Sequence, residues 1–178
     1  MRKTIVIAFV CLANVARSQG PPPAPLAVPN PNYVSIPMEI MVNRPAAEVW
    51  KRIGKYCDIG EWFQIPCTIT SGKDGEVGAI RSVAGEVLVG RTELSYTYTQ
   101  TVKEGRPYNL YHGTLEARPV TATTSKLVYT LVFDNSMLAD DAAREKDKAQ
   151  KAMLFTRALQ NMKTLAEGGT LSPPPARK

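Results

Sequence analysis

The sequence predicts an α+β fold in which a curved antiparallel β-sheet wraps around one long C-terminal helix, with two short helices beside it. Two observations lead to this class. Three long segments between Thr92 and Asp134 alternate apolar and polar residues with period two, which is typical of strands with one buried face. A long segment of good helix formers, from about Asp140 to Glu167, follows directly. Because the apolar face of a sheet must be covered, we expect this helix to lie across it.

The three long strands are predicted over residues 92–101, 108–117 and 125–134. Alternation places many aromatic groups on the face that these strands share. That face carries four tyrosines and a glycine notch, namely Tyr96, Tyr98, Tyr111, Tyr129 and Gly113. Inward-pointing hydroxyl groups beneath a long helix predict a cavity for a small, largely apolar ligand.

The part of the domain before these strands is predicted to contain one strand, two short helices and three short strands. Residues 33–42 alternate and form the first strand. Pro45 suits the first position of a helix that ends near Gly54, and residues 58–63 form a second brief helix or a turn. The short strands, separated by glycine-containing turns, are predicted at residues 67–70, 79–83 and 86–90.

In the last helix, apolar residues recur at helical spacing and form a wide stripe that should face the sheet. The stripe comprises Ala149, Ala152 (or Met153), Phe155, Leu159, Met162 and Leu165, joined by Leu154 and Ala158. Gly168 and Gly169 end the helix, and residues 169–178 are predicted to form a flexible tail. The folded domain is therefore expected over residues 33–168.

The first 18 residues are typical of an export signal. A positive start at Arg2 and Lys3 precedes a short apolar run, and the small residues Ala16 and Ser18 suit cleavage after residue 18. A membrane anchor and a lipoprotein attached through Cys11 are the alternatives, but the run is short for spanning a bilayer. Residues 19–32 are rich in proline and are predicted to form an extended linker. The expected location is periplasmic or secreted.

Charge and composition exclude several classes of function. Removal of residues 1–18 would take away three positive charges and lower the net charge from +6 to +3. No stripe of basic residues interleaved with aromatics is present, so we expect no nucleic-acid partner. With one histidine in the chain and no phosphate-binding or dinucleotide motif, we expect no metal site and no cofactor. Cys57 and Cys67 could form a disulfide after export, or remain two buried thiols.

Several short pieces, taken in their order along the chain, resemble one known superfamily. They are Arg44-Pro-Ala-Ala-Glu-Val-Trp50, Trp62, Gly78-Ala-Ile-Arg81, Glu93-Leu94, Tyr96-Thr-Tyr98, Tyr111-His-Gly-Thr-Leu115, Tyr129 to Asp134, and Met162-Lys-Thr-Leu165. With the predicted order of elements, they resemble the START/Bet v1-like (SRPBCC) helix-grip superfamily, in its polyketide cyclase/dehydrase and lipid-transport branch. That superfamily includes lipid carriers, hormone receptors and aromatase/cyclases, so the resemblance implies the fold and leaves the function open.

The predicted walls of the cavity come from the long strands and the last helix. They are Tyr96, Tyr98, Tyr111, Gly113, Leu115, Tyr129, Phe133, Leu154 and Ala158. The resemblance to the hormone-receptor branch adds Glu61 as a ligand contact and supports Tyr111. Each tyrosine could instead be an ordinary core residue, and Glu61 a solvated loop carboxylate.

For catalysis, the candidates are Tyr111 and Tyr96 as weak acids and Glu61 as a base. His112 is expected to point away from the cavity because it neighbours Tyr111 on a strand. Arg81 is expected on the outer face or paired with Glu86 or Glu93. Asp134 and Asn135 either turn the chain into the last helix or line the mouth of the cavity.

The sequence thus supports two hypotheses. The first is an exported binding or carrier protein for a small hydrophobic or aromatic ligand held between sheet and helix, without stable insertion into a membrane. The second is a cofactor-free cyclase, dehydratase or lyase acting on an aromatic or polyketide-like substrate in the same cavity. A third, weaker hypothesis is an envelope protein whose pocket is vestigial.

Overall fold

A computed structural model describes residues 30–103 and 105–173 of the chain. The predicted signal segment 1–18, nearly all of the predicted linker and residues 174–178 lie outside the described residues. All the helices and strands described fall within residues 33–168, where the sequence predicts the folded domain.

Within the described residues, seven strands and three α-helices follow one another in the predicted order. The strands are β1 (Tyr33–Val42), β2 (Ile69–Ser71), β3 (Ile80–Arg81), β4 (Glu86–Arg91), β5 (Ser95–Gln100), β6 (Asn109–Pro119) and β7 (Ser125–Asp134). The helices are α1 (Ala46–Ile53), α2 (Ile59–Trp62) and α3 (Asp141–Ala166). Asp140 caps α3, since its side chain accepts a hydrogen bond from the amide of Ala143 at 2.8 Å.

The described strands form one antiparallel curved sheet in the order β1-β7-β6-β5-β4-β3-β2. This confirms the predicted α+β helix-grip architecture. The register brings the predicted inner face together in rows across the strands: Tyr96 lies opposite Leu115, and Leu115 opposite Tyr129. Gly113 stands in the next row, between Tyr98 and Leu131.

Helix α3 covers the sheet with its second half. Phe155, Ala158, Leu159, Met162 and Leu165 of the predicted stripe are buried. The prediction is wrong for Leu154 and Ala149: the Leu154 side chain is half exposed and Ala149 faces solvent. Successive helical residues are about 100° apart, so a stripe centred on Phe155 and Leu159 leaves Leu154 at its margin.

A disulfide joins Cys57 to Cys67, with the two Cα atoms 5.6 Å apart. It encloses α2 and joins the segment after α1 to the residues just before β2. Within the enclosed loop, Ile59 and Trp62 are buried in the core. The bridge is the first of the two alternatives that the sequence left open for these cysteines.

Gly113 is required because the ring of Tyr98 occupies the space where a side chain would lie. A Cβ at this position would stand 2.4 Å from the Cζ and Oη atoms of Tyr98.

Gly113→Ala should therefore displace the buried Tyr98 ring and lower the free energy of unfolding by about 1–3 kcal/mol. Urea denaturation followed by circular dichroism measures this. Gly90→Ala is the control, since an added Cβ there meets nothing within 4 Å and should change stability by less than about 0.5 kcal/mol. Equal stabilities for the two variants would contradict the close contact.

Candidate functional site

The space predicted to be a cavity between sheet and helix is occupied by the tyrosines themselves. The hydroxyl groups of Tyr98 and Tyr129 are hydrogen-bonded at 2.8 Å, and both residues are fully buried. The ring of Tyr129 packs 4.7 Å from that of Phe155 on α3. Tyr111 stacks on Phe133 with ring centroids 5.8 Å apart. These predicted wall residues are brought together as the sequence implies, but they contact one another as a packed core.

A buried ion pair lies beside this tyrosine cluster, at the β3–β4 hairpin. Arg81 Nε donates to Glu86 Oε2 at 2.6 Å, and both residues are almost completely buried. Arg81 Nη1 donates to the carbonyl of Tyr56 at 2.6 Å. The guanidinium lies 4.3 Å from the centroid of the Tyr56 ring and 4.7 Å from that of Tyr98. The cation thus contacts a carboxylate, a carbonyl and two aromatic faces, while its buried Nη2 has no hydrogen-bond partner among the described residues.

The carboxylate of Glu86 is linked to the surface by further polar side chains. Gln100 Nε2 donates to Glu86 Oε1 at 2.9 Å. The Oε1 atom of Gln100 in turn accepts from Tyr108 Oη and from Arg106 Nη1, each at 2.7 Å. The polar chain therefore runs from the interior to the loop between β5 and β6.

Burial changes the acidity of the tyrosine cluster. It raises the pKa of five phenols, because a phenolate loses its hydration inside the protein. The five are Tyr56, Tyr96, Tyr98, Tyr111 and Tyr129. The positive charge of Arg81 opposes this rise in the pKa of Tyr96 without cancelling it. The hydroxyls of Tyr56 and Tyr96 are buried without a hydrogen-bond partner among the described residues.

An open pocket of about 310 Å³ adjoins the cluster on the side of α1, and we call it the α1 pocket. It lies between the end of α1, the turn at Asp74 and Gly75, and the β4–β5 hairpin. Its floor is apolar and aromatic, formed by Trp50, Tyr56, Leu88 and Tyr96. Its rim is polar, formed by Lys51, Lys55, Asp74, Arg91, Thr92 and Ser95.

The aromatic floor depends on the glycine after α1. A Cβ on Gly54 would lie 2.5 Å from Cδ2 of Trp50, so the absence of a side chain lets the indole lie against the helix end. The indole centroid is 5.6 Å from that of Tyr96, and Tyr56 meets the same ring edge-on, also at 5.6 Å. Trp50 remains partly exposed, whereas both tyrosines are buried. A planar molecule in the pocket would contact Trp50 directly.

Among the ten predicted ligand residues, Tyr96 lines the α1 pocket. The carboxylate of Glu61, which the sequence predicts as a ligand contact, lies at the surface and binds Arg52 at 2.6 Å. This ion pair lowers the pKa of Glu61, which makes the group a weaker base. The three catalytic candidates are thus not assembled: Tyr111 and Tyr96 are buried phenols, and Glu61 faces solvent.

Arg81 pairs with Glu86, which is one of the alternatives that the sequence left open, but its burial and the pocket residues on α1 were not predicted. The period-two pattern contained a signal for the burial of Arg81. Ala79 and Arg81 lie on one face of their segment, as Glu86 and Leu88 do on the neighbouring strand, and all four are buried. His112 lies outside the cluster, and its Nδ1 is 2.8 Å from the carbonyl oxygen of Leu110. Asp134 turns the chain, because its carboxylate accepts bonds from the backbone amides of Asn32 and Ser136.

Comparison with known proteins identifies the family. Residues 33–167 match the model of the polyketide cyclase/dehydrase and lipid transport family. The chain belongs to this family. None of the curated proteins compared with it matches in sequence.

Solved structures share the fold of this polyketide cyclase/dehydrase and lipid transport family member. A Thermobifida fusca protein solved by NMR is 22% identical, with a TM-score of 0.62, over 78% of this chain and 97% of its own. A Nitrosospira multiformis protein is 23% identical, with a TM-score of 0.54, over 71% of this chain and 95% of its own. The Zhui aromatase/cyclase of a Streptomyces species is 18% identical, with a TM-score of 0.58, over 78% of this chain and all of its own. At these identities the likeness shows the fold alone.

Two further observations concern the part of the chain that the structure describes. Its helices include none that is both long and apolar enough to cross a membrane. It also holds no cluster of three or more histidine, cysteine or acidic side chains that could bind a metal ion.

The raised pKa values of the five buried tyrosines predict how stability depends on pH. An unfolded phenol ionises near pH 10, whereas the buried phenols stay protonated in the folded state. The stabilisation is therefore fully present below about pH 10 and is lost as the pH rises further, because the unfolded state then binds fewer protons. We expect the five buried phenols to ionise in one cooperative step in the absorbance at 295 nm that coincides with loss of circular dichroism. Gradual ionisation of the buried phenols within an intact fold would contradict their burial.

Proposed function

We propose that this protein binds a small hydrophobic or aromatic molecule in the α1 pocket. The observation that carries the proposal is the floor of that pocket, where the partly exposed indole of Trp50 lies beside the ring of Tyr96. Apolar and aromatic floors with a few polar groups at the rim are typical of small-molecule sites. The volume, about 310 Å³, suits a compact molecule better than a long lipid chain.

Membership of the polyketide cyclase/dehydrase and lipid transport family is compatible with either binding or catalysis. The arrangement of side chains favours binding. A cyclase, dehydratase or lyase without a cofactor needs an acid and a base near the reacting atoms. The base candidate, Glu61, is held at the surface by Arg52, on α1 but outside the pocket lining. The binding hypothesis needs no such pair, and it is the function that we propose.

The proposal includes export of the chain. The positively charged start, short apolar run and small residues before position 19 support cleavage by an export peptidase. The disulfide between Cys57 and Cys67 supports an oxidising compartment, since such bridges rarely persist where thiols are kept reduced. A periplasmic or secreted carrier for a small apolar molecule accounts for both features.

Export predicts the composition of the mature protein. When the full chain is expressed in its native cells, we expect the envelope or culture fluid to contain a form that begins at Gln19. Its intact mass under non-reducing conditions should be lower by two hydrogens than that of the reduced form, which reports the Cys57–Cys67 bridge. A full-length chain that starts at Met1 and stays inside the cell would contradict the export proposal.

Filling the α1 pocket should weaken binding. Ser95→Trp places an indole at a partly exposed rim position whose hydroxyl contacts the neighbouring Thr92. We expect the affinity for N-phenyl-1-naphthylamine, a neutral aromatic probe, to fall by about tenfold or more, as measured by probe fluorescence. Thr97→Trp is the matched control, since it lies two residues along the same strand, outside the pocket lining, and should leave binding unchanged. Equal binding by Ser95→Trp and the wild type would place the site elsewhere.

A further inference from the structure

We propose that the ligand of the α1 pocket carries a negative charge, which makes it a small aromatic or hydrophobic acid with one anionic group. This inference rests on the proposed function and adds the chemical class of the ligand. It is carried by the side chains at the rim of the pocket, which have a net positive charge. These side chains are separate from the buried and mutually neutralised pair of Arg81 and Glu86.

Three cationic side chains face the pocket, and one acidic side chain does. The cations are Lys51 on α1, Lys55 just after it, and Arg91 at the end of β4. Asp74 is the acidic group in the lining. With three positive charges and one negative charge, the lining has a net charge of +2.

The positive charges of Lys51 and Lys55 are available to a ligand. Both side chains are exposed, and neither forms an ion pair with any residue that the structure describes. Asp58 is the other carboxylate beside Lys55, but it accepts a hydrogen bond from the backbone amide of that residue at 2.9 Å. The ammonium groups therefore remain able to approach an anion at the mouth of the pocket.

Arg91 is positioned across the opposite side of the mouth. Its Nη1 donates to the carbonyl of Gly75, which fixes the guanidinium at the turn. Its remaining N–H groups are not used by that bond, and a planar guanidinium can bind both oxygens of a carboxylate or similar anion. Asp74, the acidic group of the lining, accepts a hydrogen bond through Oδ1 from the backbone amide of Tyr56 at 3.2 Å.

The polar and apolar parts of the pocket therefore match the two parts of one kind of molecule. A flat apolar body fits against Trp50 and Tyr96, and an acidic substituent at its edge reaches the cations of the rim. A neutral molecule would leave the positive charges without a partner, although solvent would hydrate them. Charge should thus add affinity and selectivity to the apolar contact.

A pair of probes tests the proposal with the mature, disulfide-bonded protein. The anionic probe is 8-anilinonaphthalene-1-sulfonate, and the neutral probe is N-phenyl-1-naphthylamine, which has the same two ring systems without the sulfonate. At low ionic strength we expect the anionic probe to bind about tenfold more tightly. Addition of salt should reduce the difference, because ions screen exposed charges.

Two charge variants distinguish the effect of the rim lysines on binding from the effect of the net charge of the protein. The double variant Lys51→Gln/Lys55→Gln should weaken binding of the anionic probe by about tenfold and that of the neutral probe by less than about twofold. The control, Lys103→Gln/Lys146→Gln, changes the net charge equally at exposed positions outside the pocket lining and should affect neither probe.

The outcomes distinguish this inference from the proposed function. If both probes bind equally and Lys51→Gln/Lys55→Gln changes neither, the pocket binds apolar molecules and the anionic preference is overturned. An equal loss of anionic binding in the control variant would also overturn it, because the effect would then come from net charge. If neither probe binds, or if Ser95→Trp has no effect on either, the proposed function itself fails.

Discussion

The interior of this protein depends on the buried ion pair between Arg81 and Glu86. Burial of a charged group costs several kcal/mol unless partners replace its hydration. Here the partners come from three parts of the chain: the β4 carboxylate, the backbone carbonyl of Tyr56, and the faces of Tyr56 and Tyr98. Since each partner must stay in place to keep the cation satisfied, the pair ties the segment after α1 to the β3–β4 hairpin and to the centre of the sheet.

This constraint explains where open space remains. Tyr98 lies over Gly113 and reaches the hydroxyl of Tyr129, which in turn packs against Phe155 of α3. The side chains predicted to line a cavity therefore close the space between sheet and helix. The open volume that adjoins the tyrosine cluster lies beside α1, where Gly54 lets the indole of Trp50 form part of the floor and where the β4–β5 hairpin supplies the opposite side. The result is a pocket with an aromatic floor and a cationic rim.

Family membership establishes the fold, whereas the side chains of the α1 pocket bear on the ligand. The match over residues 33–167 establishes the family, and the solved structures share the fold at low sequence identity. Neither selects a ligand, since one fold supports many functions. The side chains around the α1 pocket support a small acidic aromatic ligand, and the N-terminal residues and the disulfide support export.

The sequence by itself determined the element order, the strand faces and the family. Period-two alternation predicted which residues of β5, β6 and β7 point inward, because a strand turns successive side chains to opposite faces. It did not predict what fills the space they enclose. The surface position of Glu61, the exposure of Leu154, the burial of Arg81 and the α1 pocket were decided only by the tertiary structure. The physical reason is that each depends on partners distant in sequence: the pocket joins residues 50–56, 74–75 and 88–96, and a local pattern carries no information about which of these segments will meet.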